Sequence, residues 1–140
     1  MCESLLSHID SKGTIVVWHK SFECGRNSEL GELQAAFKEQ LLDINKRTFD
    51  LKEIFSSSLY VDYRFHGSAS IKDVLPVLIP ELSYKELDIA KGDVAMTKWY
   101  EMVYGNLSDD KKEKIKFDLL TYCKLDTLAM VEIWKYLVNT

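Results

Sequence analysis

The stretch that decides the fold is TIVVWHKSFE, residues 14–23. Residues 14–18 are β-branched, aromatic or aliphatic without polar alternation, which is typical of a strand covered on both faces. Ser21 can cap a helical turn directly after this strand. Glu23 then lies just past the carboxyl end of the strand, where binding sites cluster in open α/β sheets. A carboxylate in a first helical turn also complements the helix dipole, so both roles for Glu23 stay open.

Helix and strand patterns continue on both sides of this unit. The other predicted elements are a short helix over 3–9, a helix from Asn27 or Ser28 to Leu41, a short strand over 47–49, helices opened by Asp50 and by Ser70, a helix near Val94–Tyr104, and a final helix from Ser108 to about Leu137. Asp50 and Ser70 each precede an acidic residue by three positions, the spacing of a capping box. Pro76 must kink or end the helix that Ser70 opens.

The composition is that of an ordinary soluble globular protein, and we expect residues 1–140 to form a single domain. No apolar run is long enough for a membrane span, and the polar start has no signal-peptide pattern, so cytoplasm is the expected location. The three cysteines have neither metal-site nor disulfide spacing. The net charge of −4 gives no sign of the basic face from which tight, non-specific nucleic-acid binding normally comes. Any nucleic-acid role must therefore be local, metal-mediated or supplied by a longer chain.

The predicted final helix carries a polar pair within an apolar stripe. The stripe consists of Ile115, Leu119, Tyr122, Asp126, Ala129, Ile133 and Leu137. Tyr122 and Asp126 lie one turn apart on the same face. Burying a carboxylate is costly unless a partner compensates its charge, and a metal ion can do so. Asp126 is therefore a candidate metal ligand; the alternative is a helix break that leaves it as an N-cap or at the edge of a groove.

Two segments carry a family resemblance: GSASIKDVLP at residues 67–76 and YCKLDTLAM at residues 122–130. Their order along the chain resembles that of the bacterial family called domain of unknown function 2779, within the ribonuclease H-like, DnaQ-type exonuclease superfamily. The resemblance covers about Gly13 to Leu137. It implies a helix-rich, partial ribonuclease H-like α/β fold with one or two strands and several helices, lacking the first three strands. Residues 1–140 are then the C-terminal fragment of an exonuclease domain.

The resemblance also implies a catalytic site. In exonucleases with a tyrosine in the last motif, four carboxylates hold two divalent ions, Mg²⁺ or Mn²⁺, which clamp a phosphodiester during in-line displacement. Glu23 matches the acid of the middle motif and Asp126 the acid of the last motif, so both are implied metal ligands. Tyr122 matches the residue that positions the attacking water. The implied substrate is the 3′ end of DNA or RNA.

Three further residues are implied to lie near the substrate strand: His19, Ser70 and Lys72. His19 stands where the superfamily usually has Asn, and it can share a metal with Glu23 or bond to a backbone carbonyl. Ser70 is equally a helix cap, whereas Lys72 can meet a phosphate. The aromatic side chains of the Val94–Tyr104 helix are interpreted as a packing face rather than a platform for bases; they are Trp99, Tyr100 and Tyr104.

One acidic motif of such enzymes is missing. The sequence contains no Asp-x-Glu, the motif that supplies two of the metal ligands. With Glu23 and Asp126 alone, we expect weak Mg²⁺ binding and no cleavage by the isolated chain. The alternative function is a non-catalytic interaction or self-association module derived from the nuclease fold. A homodimer through the strand at residues 14–18 is one form of it, because that strand lacks its usual sheet neighbours.

Overall fold

The computed structural model describes residues 2–85 and 87–139. The chain divides into two compact units, residues 1–69 and 70–140. Each unit has its own buried residues, and the expectation that residues 1–140 form a single domain stays a prediction. Among the described residues, no helix is both long enough and apolar enough to cross a membrane.

The first unit contains two parallel strands joined by helices. In chain order its elements are α1 (Cys2–Leu6), β1 (Ile15–Val17), α2 (Lys20–Leu33), α3 (Lys38–Lys46), β2 (Thr48–Asp50) and α4 (Glu53–Ser56), with 3₁₀ turns over Ala35–Phe37 and Tyr63–Phe65. In the pairing of β1 with β2, Ile15 lies opposite Thr48 and Val17 opposite Asp50. A parallel pair requires a crossover connection, which α2 and α3 supply. Both predicted strands and the helix-rich α/β class are confirmed.

The crossover differs from its prediction in where its helices begin. α2 begins at Lys20 and His19 is its N-cap residue, so the predicted cap at Ser21 is wrong. α2 runs without a break through Asn27 and Ser28, so neither residue caps a helix. The Ser28 hydroxyl instead donates to the Cys24 carbonyl oxygen 2.9 Å away, a bond that a serine can make inside a helix. The helical pattern breaks later, after Leu33. Gly31 permits the start of α3 to pack closely against α2, because the Cα of Lys38 would lie only 3.3 Å from a Cβ at position 31.

The strand β1 is less covered than its sequence predicts. Each of its three residues is only partly buried, because a sheet of two short strands leaves much of its surface open. Burial is concentrated instead after the strand, where the Trp18 ring stacks on Phe55 with centroids 5.5 Å apart. Phe65 meets Phe55 edge-on at 5.7 Å, a favourable geometry for aromatic pairs. These rings attach α4 and the second 3₁₀ turn to the end of β1.

Over residues 70–85 and 87–139 the second unit has three helices: α5 (Ile71–Leu78), α6 (Gly92–Tyr104) and α7 (Asp109–Val138). α5 ends two residues after Pro76, as predicted, because proline removes a helix hydrogen bond. Val74 and Leu75 of α5 and Ile133 of α7 are fully buried. The predicted extents of the last two helices are confirmed to within two residues.

Candidate functional site

The polar pair of the final helix lies beside the core of the second unit. Ala129 and Ile133 of α7 are fully buried, and Tyr122 and Asp126, which precede them on the same stripe, are partly buried. The prediction that the pair shares one helix and one face is confirmed. Asp126 lies well inside α7, so its alternative role as an N-cap at a helix break is wrong.

A tyrosine from the segment between α5 and α6 holds the Asp126 carboxylate. The Tyr84 hydroxyl donates to Oδ1 of Asp126 at 2.6 Å, the length of a strong bond between a hydroxyl and an ionised acceptor. Tyr84 is only 6% exposed. No local spacing indicates a role for Tyr84, because its partner lies 42 residues away along the chain.

Lys72 and Tyr122 complete a group of four side chains, called here the Asp126 cluster: Lys72, Tyr84, Tyr122 and Asp126. The Lys72 ammonium lies 5.7 Å from the centroid of each tyrosine ring, within range of a cation–π interaction. The two rings lie 6.2 Å apart, centroid to centroid. Three candidates from the sequence, namely Lys72, Tyr122 and Asp126, are therefore brought together, although Lys72 is on a different helix.

Both phenols of the Asp126 cluster are protonated at neutral pH. Burial, followed by the hydrogen bond to Asp126, raises the pKa of Tyr84 far above its usual range. Burial and the negative charge of Asp126 raise the pKa of Tyr122 to about 12. A protonated phenol is a hydrogen-bond donor. The cluster therefore combines two O–H donors and one carboxylate with an ammonium group that lies against the two phenol rings.

Ser70 lies at the start of the helix that carries Lys72. Its hydroxyl oxygen accepts a hydrogen bond from the Lys72 N–H at 3.3 Å, so its predicted role as the cap of α5 is confirmed. The cap fixes the first turn of α5, from which Lys72 reaches the two tyrosine rings. A contact between Ser70 and a substrate stays a prediction.

In the first unit, Asp50 organises the carboxyl ends of the two strands. Its carboxylate accepts from the backbone N–H groups of His19, Lys20 and Lys52 at 3.0, 2.8 and 3.0 Å. Asp50 ends β2 and Lys52 is the N-cap residue of α4, so the predicted cap at Asp50 is wrong for that helix. The bond to Lys52 instead closes the turn between β2 and α4. The other two fasten the turn between β1 and α2, where His19 has a left-handed φ of 83°. Sequence analysis missed them because they connect residues about thirty positions apart.

His19 and Glu23 are exposed at the start of α2. The His19 ring stacks on Phe22, with centroids 6.3 Å apart. Among the described residues it bonds to no backbone carbonyl, so that expectation for His19 is wrong: the left-handed backbone directs the ring along the helix surface. Glu23 lies in the first turn of α2, as predicted. Its approach to Asp126, which belongs to the other unit, stays a prediction.

The Asp126 cluster fits a divalent cation in ligand type but not in ligand number. Carboxylate oxygen is the hard ligand that Mg²⁺ and Mn²⁺ prefer. Within the described parts of the chain, however, no group of three or more His, Cys, Asp or Glu side chains is placed to hold a metal. The cluster by itself offers one carboxylate, which suits a single weakly held ion and is too little for a two-metal site.

Sequence comparison identifies the family. The family model described as Domain of unknown function (DUF2779) matches residues 1–70, and the chain belongs to this family. The uncharacterized protein MG366 of Mycoplasma genitalium is 30% identical over 142 residues, which cover 94% of this chain and 21% of that protein. Its homolog in Mycoplasma pneumoniae is 29% identical over 131 residues, covering 86% of this chain and 20% of that protein. The chain thus spans about a fifth of the length of these curated relatives. No solved structure is significantly similar to it.

Proposed function

We propose that this chain is the C-terminal portion of a ribonuclease H-like, metal-dependent 3′–5′ exonuclease domain that acts on DNA or RNA. The observation that carries the proposal is the Asp126 cluster. Two of its residues, Tyr122 and Asp126, match the last catalytic motif according to the family resemblance. The parallel pairing of β1 with β2, and the position of Glu23 just past β1, also agree with such a domain.

The side chains of the cluster have chemistry that suits phosphodiester cleavage. A bound Mg²⁺ or Mn²⁺ would neutralise charge on the phosphodiester during in-line displacement. Asp126 contributes a carboxylate oxygen as a ligand. Tyr122, whose pKa is about 12, keeps its proton and can donate a hydrogen bond that orients the attacking water. Tyr122 is only partly buried, as a residue that contacts the attacking water would have to be.

Lys72 is suited to contact a phosphate of the substrate strand. Four other lysines of the second unit form salt bridges: Lys98, Lys114, Lys116 and Lys135. The Lys72 ammonium forms none with any residue that the structure describes, and lies instead against two tyrosine rings. A lysine held in this way presents a compact point charge to an incoming anion.

The isolated chain is proposed to be inactive. Glu23 and Asp126 are its two candidate metal ligands, and its 140 residues contain no Asp-x-Glu. Two divalent ions cannot both be neutralised by two carboxylates, so the complete site would form only in a longer protein. The Mycoplasma relatives are longer proteins, because this chain spans only 21% and 20% of their lengths.

A nuclease assay tests the proposal. The isolated chain and the Mycoplasma genitalium relative are each incubated with 5′-labelled single-stranded DNA and RNA, with Mg²⁺, with Mn²⁺ and with a chelator. We expect the relative to shorten a strand from its 3′ end when metal is present, and to lose activity when the aspartate aligned with Asp126 becomes alanine. The isolated chain should leave both strands intact.

Two results would contradict this account in different ways. If the relative leaves both strands intact under every metal condition, the nuclease proposal is wrong. If the isolated chain shortens a strand and Asp126→Ala abolishes that activity, the nuclease assignment stands. The proposal that the isolated chain has an incomplete, inactive site is then wrong. Asp118→Asn is the matched control, because Asp118 lies on the same helix and pairs with Lys114.

The second candidate is a self-association module without catalytic activity. α6 exposes six apolar or aromatic side chains, which are 37–70% exposed: Val94, Met96, Trp99, Tyr100, Val103 and Tyr104. The prediction that the three aromatic residues form a packing face is therefore wrong within the described part of this chain, because each of them is about half exposed or more. A surface so rich in apolar side chains is typical of an interaction site. Sedimentation of the wild type and of Tyr100→Glu tests whether copies of the chain associate through it.

A further inference from the structure

We propose that Tyr84 is the positioning residue for Asp126: its buried hydroxyl fixes the carboxylate in one orientation beside Tyr122. The inference rests on the proposed function, since it assigns Tyr84 to the same site. Neither the family resemblance nor the sequence pattern gives Tyr84 a role. The hydrogen bond from Tyr84 to Asp126, 2.6 Å long, is the contact that carries it.

The two tyrosines of the Asp126 cluster differ in exposure, and this divides their roles. The Tyr84 hydroxyl donates its proton to a hydrogen bond with Asp126. Because Tyr84 is only 6% exposed, it is also poorly accessible to a substrate. Tyr122 is only partly buried and remains accessible to water. The buried phenol therefore suits a positioning role, whereas the more exposed phenol suits direct contact with the reacting groups.

The segment that carries Tyr84 is itself anchored. The Tyr84 carbonyl accepts from the Leu87 N–H at 3.2 Å, and the Ser83 hydroxyl oxygen accepts from the Lys85 N–H at 3.2 Å. Ile89, a few residues further on, is 3% exposed and belongs to the core. These contacts hold the backbone on both sides of Tyr84, so its ring has a defined position from which to bond Asp126.

The hydrogen bond limits the freedom of a side chain that otherwise rotates about two torsions. It engages Oδ1 of Asp126, so that a new ligand would meet a carboxylate of fixed orientation. Groups that hydrogen-bond to a metal-ligating carboxylate typically change metal affinity by about 10–100-fold when they are removed. Tyr84→Phe deletes only the hydroxyl and keeps the ring that fills the core.

The test uses the isolated chain and Mn²⁺ as the probe. In amide NMR spectra, sub-saturating Mn²⁺ should broaden the signals of residues 122–127 in the wild type. For weak binding, this broadening per added Mn²⁺ is proportional to affinity. We expect Tyr84→Phe to reduce it roughly 10–100-fold and Asp126→Asn to abolish it. Tyr100→Phe is the matched control, because it removes a hydroxyl from an exposed tyrosine of the same unit, and should change nothing.

A second measurement does not depend on Tyr84→Phe. The Tyr84 hydroxyl proton should appear in the wild-type spectrum in water as a downfield signal that exchanges slowly, because it is buried and bonded to a carboxylate. In Asp126→Asn this signal should move upfield, since an amide oxygen is a weaker acceptor. If the hydroxyl proton exchanges as fast as that of Tyr100, the inference is wrong even if Tyr84→Phe does not fold.

The remaining outcomes separate the inference from the proposed function. Equal broadening in the wild type and in folded Tyr84→Phe overturns the role of Tyr84 and leaves Asp126 as a metal ligand. No broadening at residues 122–127 in the wild type overturns the metal role of Asp126 in this chain and with it the positioning role of Tyr84, whereas the nuclease assay of the longer relative decides the proposed function. Broadening that falls in Tyr84→Phe but not in Tyr100→Phe supports both.

Discussion

Replacement of Asp50 by alanine is expected to destabilise the first unit strongly. Its carboxylate is 8% exposed and accepts three backbone hydrogen bonds. Each hydrogen bond to a charged group contributes about 1.5–3 kcal/mol, which sets an upper range of roughly 4.5–9 kcal/mol for three. His19 is exposed, so water can hydrogen-bond to some of the backbone N–H groups that lose the carboxylate. We therefore expect the free energy of unfolding to fall by about 3–5 kcal/mol.

This loss is large compared with the stability of a typical domain, about 5–15 kcal/mol. It acts on the turn that joins β1 to α2, where His19 has a φ of 83°. A left-handed non-glycine residue costs of the order of 1–3 kcal/mol and persists only when its surroundings hold it. Without the carboxylate, the first turn of α2 should fray, and Glu23 should lose its fixed position.

Urea unfolding followed by far-ultraviolet circular dichroism measures the effect. Asp50→Asn keeps one acceptor oxygen and should give an intermediate loss. Asp43→Ala is the matched control: it removes an exposed ion pair with Arg47, and such pairs contribute about 0–1 kcal/mol. If Asp50→Ala unfolds within about 1 kcal/mol of the wild type, the three hydrogen bonds do not contribute as reasoned.

Four further predictions concern individual residues. The pKa of Tyr122 is about 12 in the folded chain and about 10 when unfolded. Its contribution to the free energy of unfolding should therefore be complete below about pH 10 and lost as the pH rises to about 12. Tyrosinate absorbance, followed during unfolding at each pH, measures this loss of stability. Gly25→Ala should stabilise the chain by about 0.5–1 kcal/mol, because nothing lies within 4 Å of the added Cβ. Gly105→Ala should destabilise it, because that Cβ would lie 2.3 Å from the Glu101 carbonyl oxygen. Finally, Val16→Pro should weaken any homodimer formed through β1 without breaking the pairing with β2. The reason is that the hydrogen bonds to β2 involve the residues on either side of Val16. Sedimentation that shows a strict monomer at high wild-type concentration would rule out that dimer.

Local patterns in the sequence were sufficient to predict most of the secondary structure. The β-branched run at residues 14–18 predicted β1, and Ser70 with Pro76 predicted the start and end of α5. The spacing of apolar residues in α7 placed Tyr122 and Asp126 on one face. These features depend on interactions between residues no more than four positions apart, so a single sequence contains the information that specifies them.

Tertiary structure alone decided which groups satisfy the buried carboxylates. The hydrogen bond from Tyr84 to Asp126 spans 42 residues, and those from the β1–α2 turn to Asp50 span 31 and 30. The sequence by itself determined that Asp126 and Asp50 would lie at helix faces and strand ends, where a carboxylate needs compensation. Whether a phenol, a backbone amide or a metal provides that compensation depends on how distant segments pack, and no local spacing encodes it.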